Sequence, residues 1–367
     1  MNNTSFLTTL VGLLKASKVK EGEKVMLYSC PEYEAARPGL VPVVAPGFVE
    51  HMRNAAEVLG ARCTVIEVPE RVYLGLDDME EHTPGIGELM KGMDMIINTP
   101  IFKIPKTTRD ALDAGARSLQ LHQDAEVHKR MFPTEERKKR ALAGAELMEK
   151  AETIRVTSKA GTDLTCSKKG RKAHCEYGMA DEPGRWDNCA ASQVATAPIE
   201  STLNGTLVIG KGDGMCHLGF VTDDIVCTIK DGYITKIEGG AWAKMMDQWL
   251  AQYNNKKSYM IAHLGWGADE RADWSRGLLI DSAMDWENYY GNMLIGFGIN
   301  LFDTPTRFSG FGGTNDAPSH LDIAIKTVDF YLDDELIISG NRYVHEKLKT
   351  VAAPVEPHTD ETPTKND

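Results

Sequence analysis

The 367-residue chain is short of positive charge: 41 Lys and Arg stand against 53 Asp and Glu, a formal net charge of -12. That balance argues against nucleic acid or an anionic membrane as the main partner. No run approaches the roughly 18 apolar residues that a membrane-spanning helix needs. No GxGxxG follows the first strand-like segment, so nothing supports a dinucleotide site. No CxxC pair occurs. The seven cysteines, at 30, 63, 166, 175, 189, 216 and 227, are odd in number and widely spread, which reads as reduced thiols in a cytoplasmic protein. The opening stretch MNNTSFLTTLVGLLKASKVK lacks a basic segment before its apolar residues and a small-residue cleavage site after them. It reads as an amphipathic helix and not as a signal peptide.

What is there is enough for two or three domains, with 42% apolar and 26% charged residues, as in a soluble globular protein. Residues 1–150 read as an α/β domain. Strand candidates at 24–30, 62–69, 93–100 and 116–122 alternate with helical stretches, the pattern of a mostly parallel sheet. PTEERKKRALAGAELMEKAE (133–152) is a helix with Pro133 and Thr134 at its start and two glutamates in its first turn. Its basic run ERKKR reads as a solvated face. From 153 to 345 the texture changes to short strands punctuated by Gly, Asn-Gly and Asp-Gly, an antiparallel-rich α+β domain. KDGY (230–233) there signals a hairpin, and GAWAKMMDQWLAQYNNKK (240–257) a helix that buries Met245 or Met246. The Pro-, Thr- and acid-rich tail, 350–367, reads as disordered.

Four segments of the second half carry more chemistry than a core requires: EYGMADEPGRWDN (176–188), MIAHLGWGADERADW (260–274), GNMLIGFGIN (291–300) and PSHLDI (318–323). In the last, His320 and Asp322 are two apart on a strand and project together. If His263 neighbours them, two imidazoles and a carboxylate form a facial triad, the ligand set of non-haem Fe(II) oxygenases. An HxD pair alone is weak evidence, since most are solvated or hydrogen-bonded strand residues, and a lone His263 reads as a hydrogen-bonded core histidine sooner than as a ligand. Trp266 and Phe297 are candidates for pocket walls or core. His122 and His128 read as surface residues, and Cys175 as a small apolar filler.

EYGMADEPGRWD, AHLGWG and PSHLDI, with LLKASKV, PTEERKKRALAGAELMEKAETIRVTSKAGTD and FYLDDELIISG, resemble the 2,5-dihydroxypyridine 5,6-dioxygenases over nearly the whole chain. That family is similar in fold to the thermophilic-type metallo-aminopeptidases. The resemblance implies one Fe(II) held by His263, His320 and Asp322. It also implies ring opening of a hydroxylated pyridine by O2, for 2,5-dihydroxypyridine to N-formylmaleamate, in a homo-oligomer. Glu176 matches a pocket acid of the family and is a candidate proton carrier, with a salt bridge to Arg185 as the bland alternative. The family has histidines where this chain has Asn188 and, in IFKIPKTT, Lys103 as the nearest polar residue; both are candidates for orienting ring substituents. These departures leave open a trihydroxypyridine or a carboxylated hydroxypyridine as substrate, the latter matched by Lys103. The peptidases need a second metal. Their glutamate in GEVFTAP is Gln193 in SQVATAP here, and GNMLIGFGIN lacks their histidine. A metallo-aminopeptidase is therefore the alternative, and a scaffold with a degenerate site a third class.

Overall fold

The computed structural model describes residues 3–30, 47–73, 77–99, 105–121, 123, 125–278, 284–300 and 312–354. Lys103, His122 and the segment 355–367 of the tail lie outside them. In the first half, β1 (Lys24–Ser29), β2 (Arg62–Glu67), β3 (Met95–Asn98) and β4 (Arg117–Gln120) are parallel, joined by helices, as the alternation predicts. β1 and β3 are buried along their length because helices cover both faces of the sheet. The N-terminal stretch is the helix Asn3–Ala16, which packs on that core through Leu10, Leu13 and Leu14.

The second half builds two antiparallel sheets. The eight-stranded one contains β5 (Thr153–Thr157), β6 (Asp163–Ser167), β10 (Asn204–Ile209), β13 (Ile225–Lys230), β14 (Tyr233–Gly239), β18 (Asp329–Leu332), β19 (Glu335–Ser339) and β20 (Arg342–Tyr343). β13 and β14 form the hairpin at KDGY; Asp231 and Gly232 both take positive φ, 51° and 82°, as the two-residue turn demands. The seven-stranded sheet contains β7 (His174–Glu176), β9 (Gln193–Thr196), β11 (Gly214–Met215), β12 (Gly219–Phe220), β15 (Ile261–Gly267), β16 (Met293–Gly298) and β17 (His320–Ile325). Its order is β12-β11-β17-β16-β15-β9-β7.

The two sheets enclose the largest core. Val194, Leu264, Trp266, Ile295, Phe297, Leu321 and Ile323 of one meet Ile154, Val156, Leu164, Leu207, Ile225 and Phe330 of the other. Trp266 packs edge-on against Phe330, with ring centroids 5.0 Å apart. Trp266 and Phe297 are thus core and not pocket wall. In the helix Ala241–Ala251, Met246 is buried and Met245 faces solvent.

Three expectations change. β8 (Trp186–Asn188), from the second half of the chain, adds to the parallel sheet beside β4. The helix Glu135–Lys150 forms as read, with Thr134 Oγ1 accepting from the Arg137 amide at its N-terminus. Its basic run is not a solvated face, however. Arg137 is buried against Asp269, 3.1 Å away, and donates to the carbonyl of Ala191; Arg140 is buried and donates to that of Ala268. His128 is likewise buried, and burial pushes its pKa down to about 4. None of the seven cysteines pairs in a disulfide.

Candidate functional site

Along β15, β16 and β17 the side chains divide strictly between two faces. Leu321, Ile323 and Ile325 enter the core, while His320, Asp322 and Ala324 face the other way. On β16, Met293, Ile295 and Phe297 enter the core, and Gly296 and Gly298 lie opposite Asp322 and His320. β15 reaches the same arrangement by an irregularity. Ile261 pairs with Phe297 but His263 pairs with Gly296, so Ala262 is an extra residue, a β-bulge. In a regular strand Ile261 and His263 would share a face. The bulge sends Ile261 into the core and turns His263 toward His320 and Asp322.

The three side chains converge. His263 Nε2 lies 3.2 Å from His320 Nε2 and 2.9 Å from Asp322 Oδ1, and His320 Nε2 lies 3.1 Å from Asp322 Oδ2. Neighbouring ligands of an octahedral ion with bonds of about 2.1 Å are separated by about 3.0 Å. One donor atom from each of the three residues lies within 4.8 Å of the other two, close enough for all three to hold a single ion. His320 Nδ1 donates to the Ile299 carbonyl at 2.7 Å, which leaves the Nε2 lone pair pointing into the triangle, as a metal-ligating histidine requires. The electrostatics agree. Burial works to raise the Asp322 pKa, but His320 and His263 outweigh it and hold the carboxylate well below its usual range. Burial lowers the His263 pKa despite the pull of Asp322, whereas at His320 Asp322 and the Ile299 carbonyl outweigh burial and raise it. An oxygen- and nitrogen-donor set of this kind, lacking a thiolate in the triangle, suits a divalent first-row ion such as Fe(II).

Gly296, on the strand between β15 and β17, lies opposite both His263 and Asp322. A Cβ there would meet His263 Nε2 at 2.4 Å and Asp322 Oδ1 at 2.9 Å. Gly265 and Ala195, the next residues along the same face, keep it open. The glycines of AHLGWG and GNMLIGFGIN thus serve close packing, as their sequence implies, and they also clear space for a ligand.

Further polar side chains stand on the same side of the fold. Glu176 is buried on β7, and its Oε1 lies 2.8 Å from His174 Nε2. The alternative bridge from Arg185 does not form, because Arg185 is engaged with Asp187 through Nε at 2.9 Å and stacks on Tyr177 at 3.7 Å. Gln193 lies directly across the sheet from Glu176. Asn188 is buried at the end of β8, with Nδ2 3.6 Å from Met284 Sδ. Trp186 and Asn188 share one face of β8, and the Trp186 ring is 6.4 Å from that of His174. Cys216 and Glu287 were not indicated by the sequence. Cys216 Sγ lies 3.7 Å from Glu287 Oε1, and both groups gather beside Asp322. Burial and the charges of Asp322 and Glu176 push Glu287 well above its ordinary value, a measure of the negative potential here. No spacing rule joins residues 216, 287 and 322; only the fold does. His174, two residues before Glu176 on a strand, was within reach of the same i, i+2 argument that linked His320 to Asp322.

The sequence matches the family of 2,5-dihydroxypyridine 5,6-dioxygenase (NicX) over residues 5–345. A 2,5-dihydroxypyridine 5,6-dioxygenase of Pseudomonas putida is 34% identical over 309 residues, 80% of this chain and 86% of that relative. The solved structure of the 2,5-dihydroxypyridine dioxygenase from Pseudomonas putida superposes with a TM-score of 0.83 at 29% identity, covering 95% of this chain and 99% of that one. Wild-type AmpT from Thermus thermophilus has a TM-score of 0.64 at 14% identity, over 93% of this chain and 100% of that one, a likeness of fold alone.

Proposed function

The chain belongs to the 2,5-dihydroxypyridine 5,6-dioxygenase family, and from that premise we propose that it opens a hydroxylated pyridine ring with O2, acting on 2,5-dihydroxypyridine to give N-formylmaleamate. The observation that carries this reading is the convergence of His263, His320 and Asp322, in mutual contact at 2.9–3.2 Å, on a sheet face kept clear by glycine and alanine. These three residues would hold one Fe(II). Fe(II) held there would supply open coordination positions for the substrate and O2 and a route for electron density from the electron-rich ring to oxygen. Both oxygen atoms enter the product, so the reaction needs no external reductant.

The remaining work falls to side chains. The Ile299 carbonyl fixes the tautomer of His320. Glu176, anchored by His174, accepts the proton of a substrate hydroxyl and returns it to the opened product. Asn188 cannot titrate and orients polar ring substituents, a role we extend to Lys103. The two-domain division at about residue 150, an assembly as a homo-oligomer and a cytoplasmic location belong to the same reading.

The test is anaerobic reconstitution with Fe(II), followed by oxygen-electrode measurements with 2,5-dihydroxypyridine and a panel of hydroxypyridines. Stoichiometric O2 uptake with one ring, lost in His320→Ala, is the expected result. Amide hydrolysis with two Zn(II) or Co(II) ions per chain, and no uptake with any ring, would overturn it in favour of a peptidase.

A further inference from the structure

We propose that His174, Glu176 and Gln193 form a hydrogen-bond-accepting ledge that selects neutral rings carrying N–H and O–H donors and rejects ring carboxylates. This deepens the ring-opening reading and rests on it. β7 and β9 form one margin of the seven-stranded sheet, with Glu176 opposite Gln193 and His174 opposite Ala195. Side chains at directly opposed positions share a face. Ala195 in turn lies opposite Gly265 of β15, the strand that carries His263, so the ledge and the metal triangle look onto one surface. The floor between them is Ala195 and Gly265, which present nothing larger than a methyl group. A flat ring held at the triangle therefore lies across this floor with its far edge at the ledge.

Glu176 and Gln193 carry acceptor atoms that lack donors among the described residues. Glu176 is 1% exposed, and Gln193 6%. His174 engages Oε1 of Glu176, while Oε2 has no hydrogen-bond partner among the described residues. Oε1 of Gln193 has none either, nor has Oδ1 of buried Asn188. Buried acceptors are nearly always satisfied, so unsatisfied ones beside a site mark where a ligand donates. Glu176 has no amide to turn, so its unpartnered Oε2 does not depend on how Gln193 and Asn188 are oriented. The lactam form of 2,5-dihydroxypyridine offers a ring N–H and a hydroxyl, the donors this margin lacks. A ring carboxylate offers oxygens to oxygens and brings a negative charge to a site that already holds Asp322 and Glu176. His174 is a positioning residue: by holding Oε1 it aims Oε2 at the ring.

The experiment compares 2,5-dihydroxypyridine with 5-hydroxypyridine-2-carboxylate, by anaerobic tryptophan-fluorescence titration of the Fe(II) protein and by O2 uptake. The wild-type protein is expected to bind the dihydroxypyridine at least ~100-fold more tightly, since a site built for donors discriminates strongly against ligands without them. Glu176→Gln and Gln193→Lys, which place donors on the ledge, are expected to shrink that ratio ~10-fold or more with iron content and thermal midpoint unchanged. His174→Ala should shrink it in part, and His174→Gln, which keeps an N–H donor, should recover it. Equal binding of the two rings by the wild type, or an unchanged ratio in Glu176→Gln, overturns the ledge. A preserved binding ratio without O2 uptake on any ring supports the ledge and overturns the ring-opening reading instead.

Discussion

Replacing Gly296 with alanine tests the proposed metal triangle without replacing any of its three residues. The new Cβ would sit 2.4 Å from His263 Nε2, 2.8 Å from His263 Cδ2 and 2.9 Å from Asp322 Oδ1. The first contact falls about 0.6 Å short of the closest approach that real Cβ atoms make, so the imidazole must move by at least that distance. Metal–ligand bonds tolerate about ±0.2 Å, so the shift is roughly three times what the site can absorb. Overpacking of this size costs about 1–3 kcal/mol of stability, which leaves the fold intact but removes the metal. The expected result is less than about one-tenth of an equivalent of iron after desalting, against one equivalent in the parent, with a thermal midpoint lowered by only a few degrees. Gly144→Ala is the control. Its Cβ would meet Val194 Cγ2 at 2.9 Å and Trp266 Cζ2 at 3.1 Å, on the core face of the same sheet. It should cost comparable stability and keep its iron. Full iron retention by Gly296→Ala, measured by chelator competition, would refute the assignment of the triangle.

Three further outcomes are expected. His128 is neutral when folded, because burial lowers its pKa from 6.5 to about 4. Its contribution is fully present above pH 6.5 and is lost as pH falls toward 4, about 3 kcal/mol in all. His128→Gln should therefore flatten the acid limb of the stability–pH curve, and an unchanged limb in urea titrations would discount burial as the cause. Arg137→Ala leaves Asp269 buried beside an empty space, which should cost about 3–5 kcal/mol by urea unfolding, with Arg137→Met costing less. Along β17, Asp322→Asn should abolish iron binding with little change in stability, while Leu321→Ala should cost about 2–5 kcal/mol and leave iron in place.

Legibility in the sequence followed the range of the interactions involved. His320 and Asp322 were readable as a pair because β17 is regular and period 2 is a local property. The helix Glu135–Lys150 was readable from Thr134 and its first-turn glutamates, which act within four residues. The bulge at Ala262 was not, since an extra residue exists only relative to the strand it pairs with, 34 positions on at Gly296. The burial of Arg137 and Arg140 escaped for a related reason. A basic run on a helix is solvated unless another part of the chain arrives to cover it, and here Asp269, Ala268 and Ala191 do so. β8 is three residues long, too short to declare a sheet, and its place beside β4 follows from pairing alone. Trp266 was ambiguous between wall and core until the direction of His263 fixed that of its odd-numbered neighbours.

One physical demand explains the composition of HLGWG, GNMLIGFG and HLDI together. A sheet that is to bring two imidazoles and a carboxylate from separate strands to a common point cannot place side chains between them. The intervening positions on that face must be very small, and Gly296 and Gly298 of β16, opposite Asp322 and His320, meet the condition. Such a face buries little apolar surface and contributes little stability. The opposite face compensates with Leu264, Trp266, Ile295, Phe297, Leu321 and Ile323, each nearly inaccessible to solvent. Stability and chemistry are thus carried by alternate residues of the same strands. A side chain on the open face, such as Gln193, can therefore be exchanged without disturbing the packing beneath it.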